Sequence, residues 1–458
     1  MFYRDALIQL RKWRQSEGRK PLIIRGARQV GKTTLVRQFS EEFRQFIYMN
    51  LELQEDRSPF AAFTSAESLL EAIFFLKNQS RQFQSDTLLF IDEIQAVPEA
   101  LNVLRYLYEH APGLAVIAAG SVLESLFNTD TQFPVGRVSY LVLRPVSFPE
   151  FLNALGEDAA LEQLQHVPLR PFAHEKLMGL YRTYALIGGM PEIVSRYSRD
   201  KDLTSLSSVF DGLIASYLDD VEKYADSQTS AGHIRHVIRS SFGSAGKRIK
   251  FEGFGASAYK SREMGEALRI AEKAFLLNLI YPVTSTKLPV MPVLDRSPKL
   301  QLLDTGLLNY YVGIQKDIIG TKDLADVYQG TLIEHLTGQE LIAFQYDALS
   351  SLHFWVREKT SSTAEVDFIF QFEGRLIPVE AKSGATGKLR SLHLYMNEAP
   401  HDLAIRFYSG MISMHEASTS GGKKYRLLNL PYYLVSQLKS YLEWGINLHV
   451  ATEQYPLT

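Results

Sequence analysis

Short hydrophobic runs alternate with helix-length amphipathic segments over the first part of the chain. The runs are nearly continuous in apolar character and cover residues 21–24, 46–51, 87–91, 114–119 and 139–143. Strands that are apolar on both faces, separated by helices, are typical of a parallel sheet that is covered on both sides. The pattern therefore predicts an α/β core with a five-stranded parallel sheet over residues 1–145.

The pattern changes twice in the middle of the chain. Residues 146–240 carry Leu, Ala, Glu and Tyr at helical spacing, interrupted at Gly188-Gly189-Met190-Pro191, and predict a helical region. Residues 241–327 begin with a glycine-rich basic stretch, continue with the amphipathic segment 261–277 and end with two apolar runs. A helix followed by two strands at this point would suit a winged-helix-like module.

The last part of the chain, residues 328–458, predicts a separate α/β domain. Its elements are a helix over 331–344 and strands over 352–357, 365–372, 375–381 and 404–408. Glu373-Gly374 separates two of these strands and is a tight-hairpin signal.

Composition narrows the class of protein. Hydrophobic residues make up 46% and charged residues 22% of the chain, as in globular proteins, and the formal charge is −2, so any basic surface must be local. The absence of cysteine excludes disulfides, thiolate metal sites and cysteine nucleophiles. There is no secretion-signal pattern at Met1 and no apolar stretch long enough to span a bilayer, so we expect a cytoplasmic protein without a membrane segment.

A phosphate-binding motif follows the first apolar run. Its residues are Gly26, Ala27, Arg28, Gln29, Val30, Gly31, Lys32, Thr33 and Thr34, which fit the pattern Gly-x-x-x-x-Gly-Lys-Thr at the start of a predicted helix. In this motif the backbone N–H groups surround the phosphates, the lysine reaches the terminal phosphates and the threonine binds magnesium. The motif predicts ATP and Mg²⁺ as ligands.

A second element of the same chemistry ends the third run. Four apolar residues precede Asp92-Glu93, the pattern of a Walker B strand. We expect Asp92 to hold magnesium through water and Glu93 to polarise the attacking water. A plain strand-end turn is the alternative, and the phosphate-binding motif argues against it.

Two further residues are candidates for the reaction, each with a structural alternative. Ser121 ends the fourth run, where it would sense the γ-phosphate or simply cap the next helix. Arg137 would stabilise transition-state charge, or else form a surface salt bridge.

Together these motifs resemble the prokaryotic AAA-type ATPase family that carries a C-terminal domain of unknown function. The likeness includes the two Walker elements, Gly136-Arg137, the segment 143–151 and the Gly-Gly-Met-Pro motif at 188–191. The resemblance implies an ATPase core with an additional strand and a catalytic glutamate, ATP hydrolysis and a winged-helix-like middle module. Many AAA-type ATPases complete each site with an arginine from a neighbouring subunit, so Arg137 acts either in its own chain or across a homo-oligomer.

The C-terminal domain carries a second constellation. Glu334 lies in its predicted helix, Asp367 in a strand, and Glu380 and Lys382 at the end of the next strand. Two carboxylates there could bind Mg²⁺ or Mn²⁺, and the lysine could activate water against a phosphodiester. The order of these residues resembles the PD-(D/E)xK nuclease fold. Three interpretations stay open: a metal-dependent nuclease, an inert nuclease-like fold that binds DNA, and a protein-binding module.

Basic and aromatic residues interleave at the start of the middle module. They are Lys247, Arg248, Lys250, Phe251, Phe254, Tyr259, Lys260 and Arg262. Such a segment could contact the phosphates and bases of DNA, or be a solvated loop. We therefore expect a magnesium-dependent ATPase coupled to a nuclease-like domain that acts on or binds DNA. The alternative is an ATP-gated regulatory protein whose C-terminal domain binds protein.

Overall fold

A five-stranded parallel sheet forms the core of the N-terminal part of the chain. The computed structural model describes residues 2–61, 63–120, 136–223, 225, 227–320, 324, 327, 330–358, 364–381 and 389–447. The strands are β1 (Leu22–Arg25), β2 (Gln45–Asn50), β3 (Thr87–Asp92), β4 (Ala115–Ala119) and β5 (Ser139–Val142). They lie in the order β2-β3-β4-β1-β5, with every neighbouring pair parallel. The predicted core is confirmed, and β4 lies between β1 and β3.

Helices cover both faces of this sheet. They are α1 (Ala6–Gln15), α2 (Lys32–Ser40), α3 (Gln54–Ala61), α4 (Ala66–Leu76) and α5 (Glu99–His110). Successive strand residues point to opposite faces, which explains the continuous apolar runs. Ile24 and Phe90 are buried on the face that α1 and α2 cover, whereas Ile23 and Leu89 are buried on the face of α4 and α5.

The middle of the chain is mainly helical, as the sequence predicts. Its helices are α6 (Phe148–Leu155), α7 (Asp158–Gln165), α8 (His174–Ile187), α9 (Pro191–Asp200), α10 (Ser207–Asp219), α11 (Gln228–Ser244) and α12 (Ser261–Lys273). The elements β6 (Leu277–Ile280), β7 (Pro282–Val283), β8 (Lys299–Leu302), α13 (Thr305–Val312) and α14 (Gln315–Gly320) follow. Strands β6 and β8 form an antiparallel pair after α12. The winged-helix interpretation of this module stays a prediction.

The C-terminal part is an α/β domain with a mixed sheet. Its elements are α15 (Thr331–Ala343), β9 (His353–Val356), β10 (Glu365–Phe372), β11 (Arg375–Ala381), α16 (Arg390–Glu398), β12 (Leu403–Tyr408), β13 (Ser413–Ser418), β14 (Lys424–Pro431) and α17 (Leu438–Asn447). The sheet has seven strands in the order β13-β14-β12-β11-β10-β9-β7. Three of them, β7, β13 and β14, are additional to the predicted four. Strand β7 comes from the middle module and pairs in parallel with β9, Pro282 beside Phe354.

The N-terminal and C-terminal parts are packed against each other. One hydrophobic cluster includes Leu22 of β1, Tyr184 of α8 and Leu341 of α15. The main chain also crosses between the parts, since Val142 N of β5 donates to Tyr346 O at 2.9 Å. None of the helices in the described ranges is long and apolar enough to cross a membrane.

Candidate functional site

The phosphate-binding loop connects β1 to α2. Both of its glycines have positive φ, 145° at Gly26 and 93° at Gly31. A Cβ built on Gly26 would lie 2.3 Å from Leu143 O, so this position accepts only glycine. The loop thus packs directly on the chain that leaves β5.

Lys32 is the buried cation of this loop. Its Nζ donates to Gly26 O and to Ala27 O, each at 2.9 Å. Burial lowers the pKa of Lys32 to about 8, although Glu93 and Asp92 act to raise it. The loop therefore encloses a positive charge whose hydrogen-bond partners are neutral carbonyls.

Asp92 lies at the end of β3, where it faces Thr33 of the loop. Thr33 Oγ1 donates to Asp92 Oδ2 at 2.7 Å, and the Tyr48 hydroxyl donates to the same oxygen at 3.3 Å. Burial raises the pKa of Asp92, partly offset by the bond from Thr33. Glu93 follows in the left-handed region, with φ 51°, and its Oε2 accepts a hydrogen bond from Gln95 Nε2. The structure thus joins the two Walker elements at the carboxyl end of the sheet.

The helical region also contacts the phosphate-binding loop. Arg28, predicted to belong to the phosphate cradle, is in an ion pair with Asp220, which follows α10. The Tyr217 hydroxyl donates to Arg28 O at 3.1 Å, and Ser216 Oγ donates to Gln29 Oε1 at 3.2 Å. The end of α10 therefore lies against the loop, a contact that the sequence motifs do not indicate.

Arg4 is a further residue that the motifs do not indicate. Its guanidinium donates to Val30 O at 3.1 Å, to Arg144 O at 2.7 Å and to Glu150 Oε1 at 3.0 Å. Glu150 also accepts from Ser147 N at 2.9 Å, so it serves as the third residue of a helix-capping arrangement at the start of α6. The Ser-x-x-Glu spacing was the available signal for Glu150, whereas nothing near Arg4 pointed to the loop.

The Gly-Gly-Met-Pro motif lies between the phosphate-binding loop and the middle module. A Cβ on Gly31 would be 3.7 Å from Pro191 Cγ, and one on Gly189 would be 2.2 Å from Val146 O. Gly189 N donates to Asp304 Oδ2 at 2.6 Å, and Asp304 caps α13 through Leu307 N. Burial raises the pKa of Asp304 to about 6, while these backbone N–H groups act to lower it. The motif therefore connects the loop to the segment that carries β8.

The other two predicted catalytic residues of the ATPase core are Arg137 and Ser121. Arg137 Nε donates to Glu109 Oε1 at 3.1 Å on the surface, and Arg105 Nε donates to the same oxygen at 3.2 Å. The hydrogen bonds from Arg137 and then Arg105 lower the pKa of Glu109. Ser121 lies outside the described residues. Their catalytic roles stay predictions.

In the C-terminal domain, Glu334 and Asp367 meet around a lysine from the middle module. Lys299 Nζ of β8 lies 2.6 Å from Glu334 Oε1, 2.7 Å from Glu365 Oε1 and 4.0 Å from Asp367 Oδ1. Burial raises the pKa of Glu334 above its ordinary value, although Lys299 acts to lower it. The hairpin prediction correctly placed β10 beside β11, but no spacing in the sequence pointed to Lys299.

Glu380 and Lys382 complete the predicted constellation. Phe368 pairs with Val379, which makes Asp367 and Glu380 the next residues away from the hairpin turn. Asp367 Oδ2 accepts a hydrogen bond from Ala381 N at 2.9 Å, and Glu380 is buried beside Arg406 of β12. Lys382 lies outside the described residues. Within the described parts of the chain, no group of three His, Cys, Asp or Glu side chains is placed to hold a metal ion.

In the basic segment at 247–262 the cationic side chains are exposed, whereas aromatic rings pack against other residues. Lys247, Arg248, Lys250, Lys260 and Arg262 are all exposed. Phe254 is buried, and the Tyr259 ring contacts His233 and His236 with centroids 4.6 and 5.4 Å apart. Arg248 also lies 3.7 Å from Glu365 Oε2, so the segment borders the C-terminal carboxylates. Cations therefore form the exposed part of this segment, whereas the rings of Phe254 and Tyr259 pack against the protein.

Three family descriptions match successive parts of the chain. Residues 18–152 match an AAA domain, residues 178–318 match the domain of unknown function DUF8612, and residues 329–433 match the domain of unknown function DUF4143. A search among curated proteins found no significant match.

Several solved structures are similar at low sequence identity. A Walker-type ATPase of Pyrococcus abyssi is 17% identical, with 68% of this chain and 96% of that chain covered and a TM-score of 0.44. A STAND signal transduction ATPase with a tetratricopeptide repeat sensor from Pyrococcus horikoshii is 12% identical, covering 75% and 48%, with a TM-score of 0.28. The Aeropyrum pernix Orc1 protein in complex with DNA is 13% identical, covering 70% and 94%, with a TM-score of 0.24. These scores are too low to bear on function. Residues 18–152 thus match the AAA domain family, and the sheet they form has the fold of a P-loop ATPase core.

Proposed function

We propose that this protein hydrolyses ATP with Mg²⁺ at the loop between β1 and α2. The observation that carries the proposal is the hydrogen bond of 2.7 Å from Thr33 Oγ1 to Asp92 Oδ2, which brings the two Walker elements to one point. Lys32 supplies a buried positive charge beside them. A cation, a hydroxyl and two acidic residues at the end of a parallel sheet are the groups that phosphoryl transfer to water requires.

The residues around Asp92 fit a magnesium ion. A threonine hydroxyl and a carboxylate are hard oxygen ligands, the type that Mg²⁺ prefers, and they already lie within hydrogen-bond distance. Bound there, the ion would neutralise charge on the β- and γ-phosphates. Thr33 would bind it directly and Asp92 through water. The burial that raises the pKa of Asp92 also makes a nearby cation favourable, because a carboxylate in a low-dielectric site needs a counter-charge.

The chain's own residues would divide the remaining work. Lys32 holds the terminal phosphates, and the loop N–H groups orient the others. Glu93 accepts the proton of the attacking water, with its carboxylate oriented by Gln95. Arg137 provides positive charge to the transition state, either in its own chain or in a neighbouring subunit.

We further propose that the nucleotide state reaches the C-terminal domain through the Gly-Gly-Met-Pro motif. Pro191 lies beside Gly31, and Gly189 holds Asp304 at the end of β8. A second route starts at Phe148 N, which donates to Glu340 Oε1 of α15 at 3.1 Å. Movement of the loop would therefore act on both β8 and α15, the two elements that carry Lys299 and Glu334.

We propose that this coupling acts on bound DNA. The exposed cations of segment 247–262 lie beside the C-terminal carboxylates, because Arg248 contacts Glu365. The backbone of a DNA strand bound to these cations would therefore extend toward the nuclease-like domain. The second candidate is an ATP-gated regulatory protein with an inert C-terminal domain that binds protein. The ammonium of Lys299 among the carboxylates favours this candidate, because it neutralises groups that a nuclease needs for metal.

The ATPase assignment is tested with Glu93→Gln. The variant should bind ATP with unchanged affinity and lose about 10²–10⁴-fold in turnover, because only the proton acceptor is removed. Glu99→Gln, an exposed glutamate on α5, is the matched control and should hydrolyse ATP normally. Parental turnover in Glu93→Gln would rule out its catalytic role.

The two candidate functions are separated by adding DNA to the ATPase assay at several salt concentrations. Stimulation that falls steeply with salt, and that weakens in Lys250→Ala and Lys260→Ala, supports action on bound DNA. Lys424→Ala, an exposed lysine on β14, serves as the control. A rate indifferent to DNA favours the regulatory protein.

A further inference from the structure

The ammonium of Lys299 takes a central place in the C-terminal cluster. Its side chain is 5% exposed and lies within 4.0 Å of Glu334, Glu365 and Asp367. The ammonium also lies 4.9 Å from the centroid of the Phe354 ring and 6.0 Å from that of Phe368. Its neighbours thus include both carboxylates and aromatic rings.

These surroundings do not fit a resident divalent cation at the same point. Mg²⁺, Mn²⁺ and Ca²⁺ take about six to eight oxygen ligands distributed around the ion. Two aromatic faces offer no oxygen, but they do stabilise an ammonium through cation–π attraction. The metal role that the nuclease resemblance implies for Glu334 and Asp367 therefore disagrees with the arrangement of the side chains around Lys299.

Hydrogen bonds from β8 and from the residues that follow it hold Lys299 in this position. Gln301 Nε2 donates to His335 O at 2.9 Å, and Leu302 N donates to His335 Nε2 at 3.0 Å. Further along, Thr305 N donates to Gln339 Oε1 at 2.7 Å. Each of these bonds joins the segment to α15, the helix of Glu334. The lysine is fixed by its strand rather than drawn in as a flexible surface side chain.

The charges of the cluster are also nearly balanced without a metal. Glu334, Glu365 and Asp367 bring three carboxylates, and in the described part of the chain the cations beside them are Lys299 and, at 3.7 Å from Glu365 Oε2, Arg248. The three carboxylates lie close enough to the ammonium to favour its charged form.

From this geometry we infer that Lys299 is a built-in cation that occupies the C-terminal carboxylate cluster in place of a divalent metal. Divalent cations bind to Glu334 and Asp367 only when the ammonium is removed or withdrawn with β8. The inference does not depend on ATP hydrolysis, since it concerns the charge balance of the cluster alone.

The test counts Mn²⁺ bound per chain in the absence of nucleotide, by electron paramagnetic resonance of the free ion. The wild type and Asp367→Asn should bind the same number, because Asp367 contributes to no metal site while Lys299 is in place. Lys299→Met should gain about one Mn²⁺ per chain, because the uncompensated carboxylates then need a cation. The double variant Lys299→Met with Asp367→Asn should lose the added site. Any Mn²⁺ held near Thr33 is common to all four proteins.

Two results would overturn the inference. One is a lower Mn²⁺ count in Asp367→Asn than in the wild type, which would mean that metal and ammonium share the cluster. The other is a folded Lys299→Met protein that gains no Mn²⁺. Where Lys299→Met does not fold, the comparison of wild type with Asp367→Asn decides: equal counts support the inference and a loss rejects it.

Discussion

The two sites of this molecule each contain a buried lysine, and the partners of the two lysines differ. Lys32 donates to two main-chain carbonyls of its own loop, and burial lowers its pKa to about 8. Lys299 lies among three carboxylates, which raise its pKa against the effect of burial. A lysine with neutral partners keeps its charge available for an anionic ligand. The positive charge of a lysine paired with carboxylates is already neutralised by them.

The origin of the two lysines differs in the same way. Lys32 lies within the nine residues of its motif, so local chain geometry suffices to place it in the loop. Lys299 is 35 residues from Glu334 and belongs to a different part of the chain, so only the pairing of β8 with α15 brings the charges together. The comparison indicates that the phosphate-binding loop is placed by local chain geometry, whereas the C-terminal cluster forms only where two parts of the chain meet.

The largest effect that tests this comparison is expected for Lys32→Ala. The variant should show no measurable ATP binding or turnover, because it lacks the cation of the phosphate cradle. It should still fold normally, because the hydrogen-bond partners of Lys32 in the described part of the chain are main-chain carbonyls, not buried carboxylates. Nucleotide binding by calorimetry and unfolding by denaturant measure the two quantities. Lys12→Ala, on the exposed side of α1, is the control. Normal ATP binding by Lys32→Ala would break the comparison.

The exposed Arg137 is a third cation that can be compared with the two buried lysines. If it acts in the transition state, Arg137→Ala should lower kcat by up to about 10³-fold with little change in KM. Arg105→Ala removes the other arginine on Glu109 and should leave kcat unchanged. Activity recovered on mixing Arg137→Ala with Lys32→Ala would place the arginine in a neighbouring subunit. An unchanged kcat in Arg137→Ala would leave it as a surface ion pair.

Lys299→Met should lower the free energy of unfolding, whereas Lys32→Ala should leave it unchanged. Removing one partner from a buried ion cluster leaves unpaired charge, so we expect the free energy of unfolding to fall by about 3–5 kcal/mol. Lys299→Arg, which keeps the charge, should lose less. Denaturant titration of the three proteins at neutral pH gives the values. Equal stability of Lys299→Met and wild type would show that the carboxylates do not depend on the lysine.

The smallest effect concerns Glu340, a buried carboxylate that joins α15 to Phe148 and Tyr184. Burial raises its pKa from 4.5 to about 7. The folded state therefore keeps a proton that the unfolded chain loses, and stability declines as the pH rises through this range. Glu340→Gln carries no such proton, so its stability relative to wild type should rise by about 2–3 kcal/mol between pH 5 and pH 8. Glu17→Gln, at an exposed position, should show no change, and a pH-independent difference for Glu340→Gln would exclude the buried titration.

The sequence predicted much of the fold because most elements have a local pattern. The five strands of the core and the hairpin at Glu373-Gly374 have apolar runs bounded by clear turns, and they occur where expected. Strand β7 has two residues, one of them Pro282, and its pairing is with a strand far along the chain. Strand β13 is a largely exposed edge strand without an apolar run. Neither has a signal that a periodicity could detect.

The residues of the proposed ATP site follow from the sequence itself, because a phosphate-binding loop depends on glycine conformations and on a lysine and threonine at fixed spacing. Asp92 and Glu93 could also be identified, since parallel strands deliver their carboxyl ends to one edge of the sheet. Only the tertiary structure decided what lies around these residues: Arg4 and α10 on the loop, Asp304 on Gly189, and Lys299 among the C-terminal carboxylates. A buried charge is stabilised by a group of opposite charge close to it in space. The free energy of this pairing does not depend on how far apart the two residues are along the chain.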